Sequence, residues 1–218
     1  MHEYQKQFIN FLVESDALQF GEFTLKSGRV SPYFINTGKF DTGKTIGKLG
    51  YFYAAAINEQ CGSEVDAIFG PAYKGIPLAV AAATALHANF EQNVGYVFDR
   101  KETKEHGDKG ATVGYALQDG SRVVIVDDVF TTGATKEEAV MLLKGVARVE
   151  IKALVIAVDR KERGKNGENA IAEFASAFGI PVISIVTIHD IVEHLKDHVV
   201  DDSTAQKITA YLSEHGIT

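Results

Sequence analysis

Two adjacent carboxylates close a short apolar run, Arg122-Val-Val-Ile-Val-Asp127-Asp128, and a polar stretch follows, Val129-Phe130-Thr131-Thr132-Gly133-Ala134-Thr135. The run reads as a buried strand, the Thr/Gly stretch as a loop, and the residues after it as a helix. In open α/β sheets ligands bind outside the carboxyl ends of the strands. The loop offers main-chain amides and three threonine hydroxyls beside a helix N-terminus with its partial positive charge, which is a cradle for phosphate. Asp127 and Asp128 cannot attract phosphate themselves, but they suit the hydroxyls of a sugar and a nearby divalent cation. Together they call for a ligand carrying both a phosphate and a polyol, such as a ribose 5-phosphate. The competing reading is an acidic pair at the surface followed by an ordinary strand-to-helix connection capped by threonine.

Other phosphate motifs fail on residue type. Gly70-Pro71-Ala72-Tyr73-Lys74-Gly75 has the two glycines of a P-loop, but Ile76-Pro77 follow where Lys-Ser/Thr is required. No Gly-x-Gly-x-x-Gly follows an expected strand, so dinucleotide binding has no support. The Gly70–Gly75 segment still joins a strand to a helix through a tight Gly/Pro turn, and that helix N-terminus also faces anions. In Phe23-Thr-Leu-Lys26-Ser-Gly28-Arg29-Val-Ser31-Pro32-Tyr33-Phe34, Phe34 can stack on a flat ring while Lys26 offers three donors. The plain alternative puts Phe34 in the core and leaves Lys26 as a solvated turn lysine. The stretch Val97 to Gly110 carries four cationic side chains and four carboxylates, which excludes a simple basic patch and describes a polar, mobile connector. Arg160 lies at the end of another expected strand, Val149–Val158. Its planar fork suits a carboxylate, or else a surface ion pair with Asp159 or Glu162.

The elements that must position these groups alternate. Strands are expected at Asp66–Phe69, Val94–Phe98, Arg122–Val126, Val149–Val158 and Val182–Val186, and helices at Gly75–His87, Ala134–Lys144 and Glu168–Phe178. Short Val/Ile-rich runs separated by helices predict an α/β core built on an open, mostly parallel twisted sheet covered on both faces. The first 40 residues differ: a helix at Glu3–Glu14, then Phe20–Lys26 and Val30–Asn36 around a glycine turn, which predicts a small helix-plus-hairpin cap, or hood. Helices near Thr42–Gln60 and Asp202–His215 complete a single domain, with residues 41–218 as core and a flexible loop at about 100–110.

The bulk numbers agree with a small-molecule enzyme. The 218 residues, 45% of them hydrophobic, supply a sizeable core. A formal net charge of −7 argues against nucleic-acid binding. The sequence shows no apolar run long enough for a membrane span. Its first residues lack the features of a secretory signal, and Cys61 is its one cysteine. A cytoplasmic setting is expected.

The Val123–Thr135 segment resembles the signature with which type I phosphoribosyltransferases bind 5-phosphoribosyl 1-diphosphate (PRPP). The resemblance implies that Asp127 and Asp128 meet the ribose hydroxyls and that Thr131, Thr132, Gly133, Ala134 and Thr135 hold the 5-phosphate. Three further segments are similar to orotate phosphoribosyltransferases in particular. The Phe23–Asn36 hairpin resembles their orotate-binding hood, implying Lys26 and Phe34 as orotate ligands together with Thr131 and Arg160; Ile35 stands where that family often has a second aromatic. The Gly70–Gly75 segment resembles their pyrophosphate loop, with Tyr73 and Lys74 facing the diphosphate. The spacing Arg100-Lys101-x-x-Lys104-x-His106-Gly107 resembles their catalytic loop, which implies that Arg100, Lys101, Lys104 and His106 contact the diphosphate. The catalytic set implied is Lys101, Lys104, His106, Asp127 and Asp128. The resemblance further implies Mg2+, carried mainly by PRPP and water with no assured protein ligand, and a homodimer whose loop reaches the neighbouring active site. Two rivals stay open. A purine phosphoribosyltransferase should lack the Lys26/Phe34 hood and the Lys101–His106 spacing. A PRPP-sensing regulator should carry a nucleic-acid-binding element, and none is visible.

Overall fold

The computed structural model describes residues 1–25, 28–100, 110–130, 133–163, 169–196 and 198–217. Helix α1 (Glu3–Glu14) puts Phe8, Ile9, Phe11 and Leu12 on one buried face. An antiparallel pair follows, β1 (Leu18–Thr24) and β2 (Val30–Ile35), with Phe20 opposite Tyr33 and Thr24 opposite Val30. This two-stranded sheet is separate from the main one, as a hood requires. A 3-10 turn, Thr37–Lys39, leads to α2 (Gly43–Cys61), which Thr42 caps through its hydroxyl.

The core alternates β3 (Ala67–Phe69), α3 (Gly75–Phe90), β4 (Gly95–Asp99), β5 (Thr112–Gly114), β6 (Arg122–Val129), α4 (Ala134–Val146), β7 (Glu150–Asp159), α5 (Ala170–Phe178) and β8 (Val182–Thr187). Helices α6 (Ile188–Leu195) and α7 (Asp202–His215) end it. The six strands run in the order β5-β4-β3-β6-β7-β8. All neighbouring pairs are parallel except β4 with β5, which is antiparallel.

Side-chain alternation along the central strands builds two cores. Val124 and Val126 of β6 and Val155 of β7 face the layer that holds Phe8, Phe52 and Leu86. Val123, Ile125, Leu154 and Ile156 face Val140, Leu143 and Phe174 of α4 and α5. Both faces of the sheet are therefore covered, which accounts for strands that read as continuous apolar runs.

Three features depart from the sequence reading. Strand β6 runs past Val126 through both aspartates, because Asp127 and Val129 keep their parallel partners Ile156 and Val158. Strand β5 was not expected. It pairs Thr112 with Asp99, so the 100–110 segment joins two antiparallel neighbours. Its three residues carry no apolar period from which a strand could be read. Helix α6 was also missed, since its apolar residues continue directly from β8; Thr187 and Asp190 mark the boundary with reciprocal capping bonds.

Candidate active site

After β3 the chain crosses through α3 to β4 on one side; after β6 it crosses through α4 to β7 on the other. The carboxyl ends of β3 and β6 thus flank the point where strand order reverses, the crevice in which open α/β sheets bind ligands. The two segments singled out for phosphate chemistry emerge there side by side.

The loop after β3 is held tightly. The Gly70 amide donates to the Val97 carbonyl at 3.0 Å and the Gly75 amide to the Pro71 carbonyl at 2.9 Å. A Cβ on Gly70 would lie 1.9 Å from the Gly75 carbonyl oxygen, so the close approach demands glycine. The Ala72 amide donates to the Asp99 carboxylate, and the Ala72–Tyr73 peptide is cis. Tyr73 is 74% exposed. Lys74 extends from the start of α3 to Asp128, its Nζ 2.8 Å from Oδ2.

The two aspartates are buried and differently held. Asp128 Oδ2 also accepts the Thr37 hydroxyl at 2.9 Å, and its Oδ1 accepts the Val129 amide at 2.8 Å. Burial pushes the Asp128 carboxyl up, but the Lys74 ammonium and these donors outweigh it, leaving the group below its ordinary value. Asp127 Oδ2 lies 2.6 Å from Nζ of Lys136, in the first turn of α4, while its Oδ1 accepts the Asp128 amide at 2.9 Å. Here burial wins over the lysine and the carboxyl is raised. Tyr53 of α2 donates its hydroxyl to the Asp127 carbonyl at 2.7 Å, fixing the strand end from below. The surface-pair reading of these acids is thereby replaced by a buried, lysine-neutralised pair.

Gly133, the N-cap of α4, has φ 83°, and a Cβ there would meet the Phe130 ring at 3.1 Å. Among the described residues no side chain caps this helix. The first amides, at Ala134 and Thr135, sit at an exposed helix start beside the acidic pair, where the helix dipole favours an anion.

Phe34 is half-buried and stacks on Phe23, ring centroids 5.5 Å apart, whereas its neighbour Tyr33 is fully buried. So Tyr33, not Phe34, fills the core beneath the hairpin. Arg160, just past β7, sends Nε and one terminal nitrogen to Glu162 Oε1 at 2.9 and 2.7 Å. Its guanidinium lies 4.7 Å from the Tyr33 ring centroid and 3.4 Å from the Ser31 hydroxyl, so it packs against hood strand β2. Tyr33 donates its hydroxyl to the same Glu162 oxygen at 3.0 Å; burial pushes that phenol well up. The ion pair with Glu162 is therefore real but sheltered under the hood, while Asp159 pairs with Lys161 at 2.9 Å. Arg100 bonds through its amide to the Ala111 carbonyl at 2.9 Å, and its buried Nε has no partner among the described residues.

The structure thus brings Lys74, Asp127, Asp128, Gly133, Ala134 and Thr135 to one crevice and Arg160 to the hood. Lys26, Lys101, Lys104, His106, Thr131 and Thr132 lie outside the described residues. Thr37, Tyr53 and Lys136 were missed, and so was the bond from Tyr33 to Glu162, although Glu162 itself was named as a possible partner of Arg160. Only Lys136 left a signal: it shares the spacing of Ala139, Val140 and Leu143, the buried face of α4, where a lysine needs an acidic partner.

Comparison with known proteins decides the family. Residues 37–182 match the model of the phosphoribosyl transferase domain. The chain is 45% identical to orotate phosphoribosyltransferase from Clostridium acetobutylicum, over 100% of both chains. It is 47% identical to that from Bifidobacterium longum, over 96% of each. It belongs to the orotate phosphoribosyltransferase family. Among solved structures, orotate phosphoribosyltransferase from Francisella tularensis superposes with a TM-score of 0.86 at 37% identity, covering 97% of this chain and 100% of that one. The family membership places the hood, the Gly70–Gly75 loop and the β6–α4 loop in a chain of enzymes, and sets the purine-specific and regulatory readings aside.

Proposed function

We propose that the protein transfers the 5-phosphoribosyl group of PRPP to orotate, giving orotidine 5'-monophosphate and pyrophosphate in the route to UMP. The observation that carries this reading is the buried Asp127–Asp128 pair beside the exposed start of α4, at the point where the strand order reverses. The acids accept the ribose 2- and 3-hydroxyls, and the α4 amides with the Thr131–Thr135 loop take the 5-phosphate. Lys74 is 70% exposed at its side chain, so it can leave Asp128 for the diphosphate when ribose hydroxyls arrive as replacement donors. Tyr73, Arg100, Lys101, Lys104 and His106 are assigned to the same diphosphate. Lys26, Phe34, Thr131 and Arg160 are assigned to orotate, the ring on Phe34 and its carboxylate facing the cations.

The bond broken joins the anomeric carbon to the diphosphate, and the bond formed joins that carbon to a ring nitrogen of orotate. No side-chain nucleophile is required. The protein contributes orientation and charge stabilisation of the departing diphosphate. Mg2+ is proposed as the cofactor. Among the described residues no cluster of three or more His, Cys, Asp or Glu side chains could hold a metal, and each aspartate already faces a lysine. Aspartates already paired with lysines suit an ion that would arrive on PRPP oxygens and keep its waters, and that would neutralise charge on the leaving diphosphate. The enzyme is further proposed to be a cytoplasmic homodimer with shared active sites; no helix among the described residues is long and apolar enough to cross a membrane.

The test is a mixture of protein, orotate, PRPP and Mg2+. Orotate should disappear and pyrophosphate appear one for one, with neither change when PRPP is omitted. Pyrophosphate release that is independent of orotate would contradict the assignment.

A further inference from the structure

Lys136 occupies a position where its helix otherwise places apolar side chains. With Ala139, Val140 and Leu143 it forms the buried stripe of α4, and only 5% of its surface is exposed. An ammonium buried this deeply is tolerated only with a charged partner. Its partner is Asp127 Oδ2 at 2.6 Å, with the Thr135 hydroxyl at 3.3 Å and the Phe130 ring centroid at 6.0 Å. The Asp128 amide holds the other Asp127 oxygen at 2.9 Å. Both oxygens are thus fixed from the protein side before any ligand binds.

The neighbouring acid is held in another way. Asp128 pairs with Lys74, whose side chain is 70% exposed and belongs to a different element. When Lys74 turns to a diphosphate, Asp128 loses its cation, while Lys136 has no room to follow a ligand and stays on Asp127. We propose that Lys136 is a positioning residue for the phosphoribosyl transfer: it fixes the rotamer of Asp127 and keeps the carboxylate charged, so that it accepts a ribose hydroxyl throughout the cycle. This rests on the assignment of the acidic pair to the ribose. It makes the two lysines unequal, one exchanging with substrate and one permanent.

Among the described residues the groups facing Asp127 are few. Lys136 approaches from α4, Asp128 adjoins it on β6 with Lys74 and Thr37 beyond, and Tyr53 of α2 reaches its carbonyl oxygen. Burial already pushes the Asp127 carboxyl up, and Lys136 is the only cation that opposes this by direct contact among the described residues. Removing it leaves the acid to take up a proton at a higher pH.

The full-length enzyme is assayed as the parent and as Lys136→Met and Lys136→Arg, with kcat and both KM values followed across pH. In Lys136→Met, KM for PRPP at neutral pH should rise by roughly ten- to a hundredfold, the loss of a charge-assisted contact. KM for orotate should change less than about twofold, and the acid limb of kcat/KM for PRPP should move toward neutral pH. Lys136→Arg should restore most of the PRPP affinity and return the limb. A folded Lys136→Met with the parent's pH limb, or equal losses toward both substrates without rescue by arginine, would overturn the proposal. Should Lys136→Met fail to fold, Asp127→Asn is compared with Asp127→Asn/Lys136→Met, which contains neither charge. Their KM values for PRPP should agree within about twofold, because the lysine then has nothing to position. A further tenfold loss in the double variant would overturn it. Absence of PRPP-dependent orotate consumption in the parent would refute the proposed function instead, before any Lys136 comparison is made.

Discussion

Asp127 and Asp128 are chemically identical neighbours made unequal by what touches them. Asp128 is held below its ordinary value and Asp127 above it. A depressed carboxyl contributes stability that is present above the unfolded value, about 3.9, and is lost as pH falls through the folded value. A raised carboxyl acts oppositely, its contribution fading as pH rises through the folded value. Asp128→Asn should therefore be less stable than the parent at neutral pH, by on the order of 1 kcal/mol given the exposure of Lys74. The gap should close as pH falls below about 4, readable by urea unfolding at several pH values. The same variant should lose roughly ten- to a hundredfold in kcat/KM for PRPP with its circular dichroism unchanged. Unchanged kinetics would remove Asp128 from the ribose site. The candidate site was legible in the sequence, where the acids, the Thr/Gly loop and their order along the chain call for a phosphate and a polyol. Their lysines were not, because the contact of Lys136 with Asp127 depends on which face α4 buries. The tie of Glu162 to Tyr33 was equally hidden, since the two lie 129 positions apart, whereas its pairing with Arg160 was among the readings open in the sequence.

At the scale of elements, the site depends on two connections that approach more closely than side chains allow. Gly70 and the Gly75 carbonyl are the tightest, and the atoms in conflict are main chain, so neither can swing aside. Gly70→Ala should displace the loop, weaken the Ala72–Asp99 contact and cost about 1–3 kcal/mol in urea unfolding. PRPP affinity should fall by more than orotate affinity. An alanine variant with parental stability and PRPP KM would show that the close approach is not needed. The alternation of Val/Ile runs with helices made the parallel core legible, because strands buried on both faces carry no polar alternation to confuse them. Strand β5 and helix α6 escaped for lack of length and period. The hood hairpin was legible from its glycine turn, with Leu18 and Gln19 added at its start.

For the whole molecule, the proposal of shared sites can be tested by mixing two inactive proteins. Lys104→Ala removes a loop residue and Asp128→Asn an acid of the crevice, so each homodimer should be crippled. After subunit exchange, verified with differently tagged chains, about half the dimers are mixed and roughly a quarter of all sites regain both parts in a twofold dimer. No recovery with proven exchange would place the loop in its own subunit. On the proposed function, the choice of acceptor base falls to the residues assigned to orotate, Lys26, Phe34 and Arg160. A site built around a charged group rejects analogues that leave it unpaired, often by about 10^4 or more. The deciding measurement is kcat/KM for orotate, uracil, adenine and hypoxanthine with saturating PRPP and Mg2+. The account predicts turnover of orotate with the other three slower by about that factor. Comparable turnover of adenine would contradict it.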